Sequence, residues 1–499
     1  MVRTITNSCV ISVAITIYAL CSIDCDAQKR APVFNTVQPE TFADNMALSN
    51  AWGDFDNDGD LDLAISFKTG DVRLYENNEG SFKNIGPKVG LPTEGKETRS
   101  VAWGDYNGDG YLDLYVGSNR NGNELYRNDQ GKGFSEVGVS LGVDIPHVST
   151  RQINWIDYDN NGTVDLFVAD RVGANYLFQN DNGVFVNVSK EVGLADERPT
   201  VGACWFDYNK DGFLDLFMAN QSGTTDAFYK NEGGIFTDIA PELGMEGDKR
   251  RNDQGGVDCA VGDYDNDGDF DLFVANYGRN YLYENNGSGG FSEVSEKMGI
   301  RGDNHMVGAS WGDYDNDGWL DLYVAGYKGP AENRIPVDRL FHNEGDRFSE
   351  VNTVGTPLSG ADHGIQWADF DQDGDLDLSL TEGYNIKGHH PLLKNELPPE
   401  RAESSLQIEV LDEKGLKSRA GAEVRLYDRS SALVGSRLVS TGDGYNSHSS
   451  GPVHFGLVDH SPVTVEVTFL TNAGRITQKQ ENVNPADYAG GVLEIKQVN

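Results

Sequence analysis

The chain has 499 residues, enough for two or three domains with full hydrophobic cores, so disulfides are not needed to hold it together. Fifty-nine glycines, an aromatic content of 10% and the lack of long helix-forming runs exclude a largely helical protein and point to an all-β one rich in turns. A formal charge of −39 excludes nucleic acid and an anionic membrane surface as partners, because either polyanion would be repelled, and makes cations the natural counter-charge.

Residues 1–27 have the form of a secretory signal: Arg3 gives a positive start, Val10 to Leu20 an apolar run, and Cys25-Asp26-Ala27 a small-residue cleavage site. The run is too short to span a bilayer, and no later stretch reaches the roughly 18 uninterrupted apolar residues that a transmembrane helix needs. The expectation is a secreted protein, extracellular or, in a bacterial host, periplasmic. Only Cys204 and Cys259 remain after cleavage. Their opposite parity, counted from the acidic loops that follow them, puts them on opposite strand faces of adjacent repeats. Two free, buried thiols are expected, with a disulfide as the alternative.

From residue 31 to 397 the sequence repeats. The segment Gly53-Asp-Phe-Asp-Asn-Asp-Gly-Asp-Leu-Asp-Leu63 recurs with first aspartates at Asp54, Asp105, Asp157, Asp207, Asp263, Asp313 and Asp369, spaced by 50 to 56 residues. A short strand precedes each loop and carries Trp two residues before the Asp (Trp52, Trp103, Trp155, Trp205, Trp311, Trp367), with Val261 the exception. A second strand follows, then a third ending in Asn, then a fourth of the form Phe-x-x-Val/Ile. Four strands per unit, seven times over, predict a seven-bladed β-propeller. The seventh unit lacks its fourth strand, because Pro398 and Pro399 intervene, whereas Phe34 to Val37 is a fourth strand without a unit. Pairing of the two would close the ring and cover two open edges.

In the loop D-x-D-x-D-G-x-x-D, side chains at positions 1, 3, 5 and 9 and the carbonyl at position 7 can converge on one hard cation, while Gly at position 6 permits the sharp turn. Position 3 is Asp56, Asn107, Asp159, Asn209, Asp265, Asp315 and Asp371, and position 5 is Asp58, Asp109, Asn161, Asp211, Asp267, Asp317 and Asp373. Position 7 is Asp60, Tyr111, Thr163, Phe213, Asp269, Trp319 and Asp375, and position 9 is Asp62, Asp113, Asp165, Asp215, Asp271, Asp321 and Asp377. Oxygen-only ligands point to Ca²⁺, up to seven ions. An EF-hand fails on spacing, since it needs a 12-residue loop closed by Glu between helices. Twenty-five of the 79 acidic residues sit at the four side-chain positions, so the charge is explained largely by cation binding. Loops two, three and four, with one neutral amide each, are expected to bind more weakly.

These units resemble FG-GAP or VCBS repeats. After a linker at 398–404, residues 405–499 alternate as strands, Leu406 to Val410 and Val463 to Val467 among them, and predict a small β domain. Gly415 to Val424, Gly442-Asp-Gly-Tyr-Asn-Ser-His-Ser-Ser450 and Val453 to Leu457 resemble an ASPIC/UnbV domain, although Phe469 to Gly474 stands where that domain usually has a Trp-Pro-Ser-Gly-like turn. Propeller plus this domain is similar to the cartilage acidic protein family and its bacterial relatives. The resemblance implies extracellular calcium-binding proteins without established enzymatic chemistry.

No nucleophile elbow, zinc-protease helix motif or phosphate loop is present. The expected function is therefore an extracellular binding or adhesion module, a monomer without membrane insertion, that engages a protein or glycan ligand on the face opposite the calcium loops. A propeller enzyme acting on extracellular polysaccharide is the alternative. His305, Asp362, His363, His389 and His390 gather on that opposite face as a candidate ligand site; His448 and His454 read as turn and strand-edge residues. Arg301-Gly-Asp303 reads as a chance tripeptide. Asn187, Asn220 and Asn286 begin glycosylation sequons that matter only in a eukaryotic host.

Overall fold

The computed structural model describes residues 32–300, 305–327, 338–352, 356–358, 363–383 and 388–498. The leader, the Arg301-Gly-Asp303 tripeptide and Asp362 lie outside the described residues. The fold is all-β, with three helices of four residues each and one short 3-10 turn among the described residues.

Each repeat folds into one antiparallel sheet whose strands pair in sequence order. In the first, Ala47–Gly53, Asp62–Phe67, Val72–Asn78 and Ser81–Asn84 are neighbours. The same order recurs in sheets that begin at Thr98, Thr150, Thr200, Gly255 and Met306. The last sheet holds Ile365–Ala368, Asp377–Leu380 and Leu392–Asn395, and its fourth strand is Phe34–Val37, with Phe34 opposite Asn395 and Val37 opposite Leu392.

Neighbouring sheets pack face to face through the tryptophan position. Gly104 makes room for this: a Cβ there would lie 2.5 Å from the Trp155 ring, and one on Gly312 would lie 2.9 Å from Trp367. The repeat without Trp follows the sheet that ends its first strand in Phe206, and Phe206 packs in one cluster with Val261, so the volume is kept by the opposite partner. Cys204 and Cys259 lie on the adjacent first strands Thr200–Phe206 and Gly255–Gly262 and form a disulfide with a Cα separation of 6.1 Å. This corrects the expectation of free thiols. Opposite parity on two sheets packed face to face turns the side chains toward each other.

Residues 405–498 form a sandwich of two sheets. One orders Val453–Gly456, Ser405–Leu411 and Val492–Lys496; the other orders Leu433–Leu438, Glu423–Tyr427, Val463–Thr471 and Gly474–Val483. Ile408, Val424, Leu426, Val467 and Phe469 fill the space between them. From this sandwich the segment 440–451 reaches into the repeats and touches all seven sheets. Ser49 Oγ donates to the Asn446 carbonyl (2.9 Å), and Ser447–His448 pairs in parallel with Val101 and Ala102. Trp155 N donates to His448 Nδ1 (3.0 Å), and Thr441 Oγ1 donates to the Trp205 carbonyl (2.9 Å). The Tyr445 amide bonds the Asp258 carboxyl, Gly444 N donates to the Ala309 carbonyl (3.1 Å), and Ile365 N donates to the Gly444 carbonyl (2.9 Å). The first strands accommodate this hairpin because they bury polar side chains, Ser49, Gln152, Asn154 and Gln366 among them, that find partners on it.

Candidate metal-binding loops

The loop between the first and second strands has the same internal bonding in every repeat. The amides at positions 5 and 6 donate to the two oxygens of the position 1 carboxylate; in the first loop these are Asp58 N and Gly59 N on Asp54, at 3.1 and 3.2 Å. The amide at position 7 donates to the side chain at position 5, as Asp60 N does to Asp58 Oδ1 (3.0 Å). Two left-handed residues make the turn: position 4, with φ of 60° at Asn57, and the glycine at position 6, with φ of 98° at Gly59. Position 9 braces the loop. Asp62 Oδ1 accepts the Asn77 amide and its Oδ2 accepts the Phe55 amide, so the loop is pinned between second and third strands.

This backbone brings the expected ligands together. Carboxylate oxygens of Asp54, Asp56 and Asp58 lie within 4.8 Å of one another in the first loop, as do those of Asp157, Asp159 and Asp165 in the third, Asp263, Asp265 and Asp271 in the fifth, and Asp313, Asp315 and Asp317 in the sixth. Burial and mutual repulsion push Asp56 up to about 6, and burial pushes Asp62 and Asp113 up to about 8. At position 3, one carboxylate oxygen each of Asp56, Asp315 and Asp371 is buried with no hydrogen-bond partner among the described residues. A buried acceptor beside like charges is the donor set that a hard cation completes.

The residue just before the closing Asn of the third strand also faces the loop. Gln179 Nε2 donates to Asp159 Oδ2 (2.6 Å). Lys394 Nζ contacts Asp371 and lies 2.9 Å from Asp373, placing an ammonium inside the seventh loop. His342 Nδ1 lies 3.1 Å from Asp321 and 3.8 Å from Asp315; burial opposes its charge, but the Asp321 bond prevails and raises it to about 9. The position varies from repeat to repeat, and only its spacing from Asn could have marked it in the sequence.

Two further sets of side chains link one loop to the next. Asn57 Nδ2 donates to the Gly110 carbonyl (2.9 Å), Asn160 to Gly212 (2.8 Å), Asn266 to Gly318 (3.1 Å), Asn316 to Gly374 (2.9 Å), and Gln372 Nε2 to Gly59 (2.8 Å). Between the fourth and fifth loops, Lys210 pairs with Asp269 instead. The closing asparagines Asn77, Asn128, Asn180, Asn231, Asn285, Asn343 and Asn395 each donate Nδ2 to the carbonyl of the aromatic at position 2 in the preceding repeat, from Phe370 for Asn77 to Tyr314 for Asn395.

The C-terminal sandwich lies against this same loop-bearing side. Arg475 pairs with Asp207, Gln407 Nε2 donates to Asp369 Oδ2 (2.7 Å), and Arg425 Nη2 donates to the Gly268 carbonyl (3.0 Å). Of the histidines expected on the opposite face, His305 and His363 are bridged by the rings of Tyr277 and Tyr327. His363 and His390 are buried, the latter between Tyr75 and the Asp44 carbonyl, whereas His389 is exposed beside Glu382 and His305 stacks on Tyr277. His448 and His454 are buried and hydrogen-bonded to the carbonyls of Ser440 and Gly374. No helix among the described residues is long and apolar enough to cross a membrane.

A model of the FG-GAP-like repeat matches residues 54–116, 105–168, 157–218, 207–274 and 263–324, and one of the ASPIC and UnbV domain matches 413–490. Cartilage acidic protein 1 of Xenopus tropicalis is 27% identical over 491 residues, which cover 89% of this chain and 74% of that protein. The Mus musculus protein of the same name is 26% identical with the same coverage. Among solved structures, the crystal structure of BBS1N in complex with ARL6DN is similar with a TM-score of 0.47 at 11% identity, over 74% of this chain and 97% of that one. With its overlapping repeats spanning 54–324, this chain belongs to the FG-GAP-like repeat family and carries an ASPIC and UnbV domain after the repeats.

Proposed function

We propose that this protein is a secreted, calcium-loaded, seven-bladed propeller, closed by its N-terminal strand and acting as an extracellular binding or adhesion module. The carrying observation is the loop: seven copies of one acidic turn, braced by the same backbone bonds, three of them with a buried position 3 carboxylate oxygen, on Asp56, Asp315 and Asp371, that has no partner among the described residues. Ring closure is supported by the pairing of Phe34–Val37 with Leu392–Asn395 and by two bonds that join the last repeat to the first, Asn77 to Phe370 and Gln372 to Gly59. Residues 31–397 then form the propeller and 405–499 the second domain, with 398–404 between them.

Binding is favoured over catalysis because the chain's own hairpin occupies the space among the seven first strands, the position of a propeller's central channel. The C-terminal domain covers the loop side, so an extracellular protein or glycan ligand is assigned to the opposite face. Metal analysis of the purified protein tests the calcium reading: close to seven equivalents are expected, removable by chelator with a fall in melting temperature. A metal-free protein with an unchanged melt refutes it. Incubation with a glycan panel separates binding from catalysis, since retained but uncleaved glycan fits the module and released product overturns it.

A further inference from the structure

A cavity of about 190 Å³ lies between the C-terminal domain and the first strands of the last repeats, larger than the cavity of about 150 Å³ that is known to take up benzene. Its apolar walls include Trp52, Trp311 and Trp367. Four charged side chains line it. Asp313 and Asp369 are the first residues of the sixth and seventh acidic loops, and their carboxylates accept the amides of those loops. The other two are of opposite sign, and among the described residues neither has an ion-pair partner within 4 Å.

The first is Arg437, 8% exposed. Its Nε donates to the His454 carbonyl (3.1 Å) and its Nη1 to the Ser436 carbonyl (3.0 Å), but Nη2 is buried with no hydrogen-bond partner among the described residues. Its closest carboxylates in charge terms are Asp313 and Asp263, both first ligands of metal loops, which a bound cation would neutralise. The second is Asp443, on the hairpin, which accepts only neutral donors: Ser310 Oγ (2.9 Å) and Gln366 Nε2 (3.3 Å). Arg437 is buried and Asp443 half-buried, and charges withdrawn from water in this way are costly unless something pairs them. Beside them, among the described residues, the indole N–H groups of Trp52 and Trp367 lack acceptors, and His454 Nδ1, whose ring donates through Nε2 to the Gly374 carbonyl, lacks a donor.

We propose that this cavity is a binding site for a small zwitterion of the amino-acid class, its carboxylate held by Arg437 Nη2 and the indole N–H groups, its ammonium by Asp443 and His454 Nδ1, and its apolar part against the tryptophans. A zwitterion satisfies the two wall charges that lie outside the acidic loops, Arg437 and Asp443, and adds no net charge to the interior, which neither a simple anion nor a simple cation does. Breaking such a pair leaves the other charge buried, so each half of the ligand contributes strongly to affinity.

The test uses the full-length, calcium-loaded protein, reading tryptophan emission and melting temperature. L-Leucine and 6-aminohexanoate are titrated to about 10 mM against two half-ligands, 4-methylpentanoate and isoamylamine, and against potassium chloride. At least one zwitterion is expected to shift both readouts, with each half-ligand about tenfold weaker or more and with binding reduced as much by Asp443→Asn or Arg437→Met. No response to either zwitterion overturns the proposal. So does an equal response to isoamylamine or potassium chloride, which would make Asp443 a cation site, or to 4-methylpentanoate, which would make Arg437 an anion site. Should a variant fail to fold, the wild-type comparison of whole and half ligands still decides.

Discussion

Lys394 places a tethered ammonium between Asp371 and Asp373, where a calcium ion would otherwise sit. Counting aspartates ranks the seventh loop with the first, fifth and sixth as strong, but the lysine opposes that ranking. Replacing it, Lys394→Met, should raise calcium affinity in that loop by about tenfold, the order of one removed close charge. Calorimetric titration checks it; an unchanged isotherm would show that the ammonium swings clear when the ion enters. The closing asparagines are a second case. Asn180 gives Nδ2 to Tyr106 and Val164 carbonyls, each at 2.8 Å, and its Oδ1 accepts Gly183 N at 2.7 Å. Asn180→Ala should therefore cost about 3 kcal/mol in urea denaturation, well above the cost of a surface truncation. Both residues were plain as letters in the repeat. Their roles were not, because their partners lie in a neighbouring loop or sheet, and a period of 50 to 56 residues aligns equivalent positions without saying which ones touch.

The N-terminal strand and the hairpin are the two elements that tie distant parts of the chain together. Deleting residues 32–45 would leave the edge of Leu392–Asn395 unpaired, and the expected outcome is a lower melting temperature with self-association through that edge. A monomer with the wild-type melt would count against ring closure. Shortening 441–450 to a brief glycine turn would strip Gln152, Asn154 and Ser49 of their partners. Faster proteolysis between the domains, near 398–404, and a red-shifted tryptophan emission should follow. The four-strand pattern and the unpaired Phe34 strand were legible because alternation and aromatic spacing survive in each copy. The hairpin was not. Polar residues in the first strands, such as Gln152 and Asn154, read equally well as the lining of a wet channel, and nothing in Gly442 to Ser450 announces what it bonds.

At the scale of the whole molecule, a cation held by the acidic loops would compete with protons for the same interior. His390, His448 and His454 are each lowered from 6.5 to about 4 by burial, so the unfolded chain takes up protons that the fold refuses, and their contribution to stability is lost as pH falls through that window. Asp62 and Asp113, raised from 3.8 to about 8, have the opposite sign when no metal is bound: the fold holds protons that the unfolded chain releases, so stability falls as pH rises from about 4 to 8. Chelator should accordingly move the pH of maximum melting temperature downward, and an optimum at the same pH with and without calcium would refute the loop chemistry. The hairpin carries one more implication. Open solenoids tolerate gain or loss of a unit because each repeat meets only its neighbours. Here a single short segment is fitted to every sheet at once, from Ser49 to Gln366. Duplication or loss of one repeat would change the circumference around it and leave the segment without its partners, so lineages of this architecture should diverge by substitution within repeats while their number stays frozen.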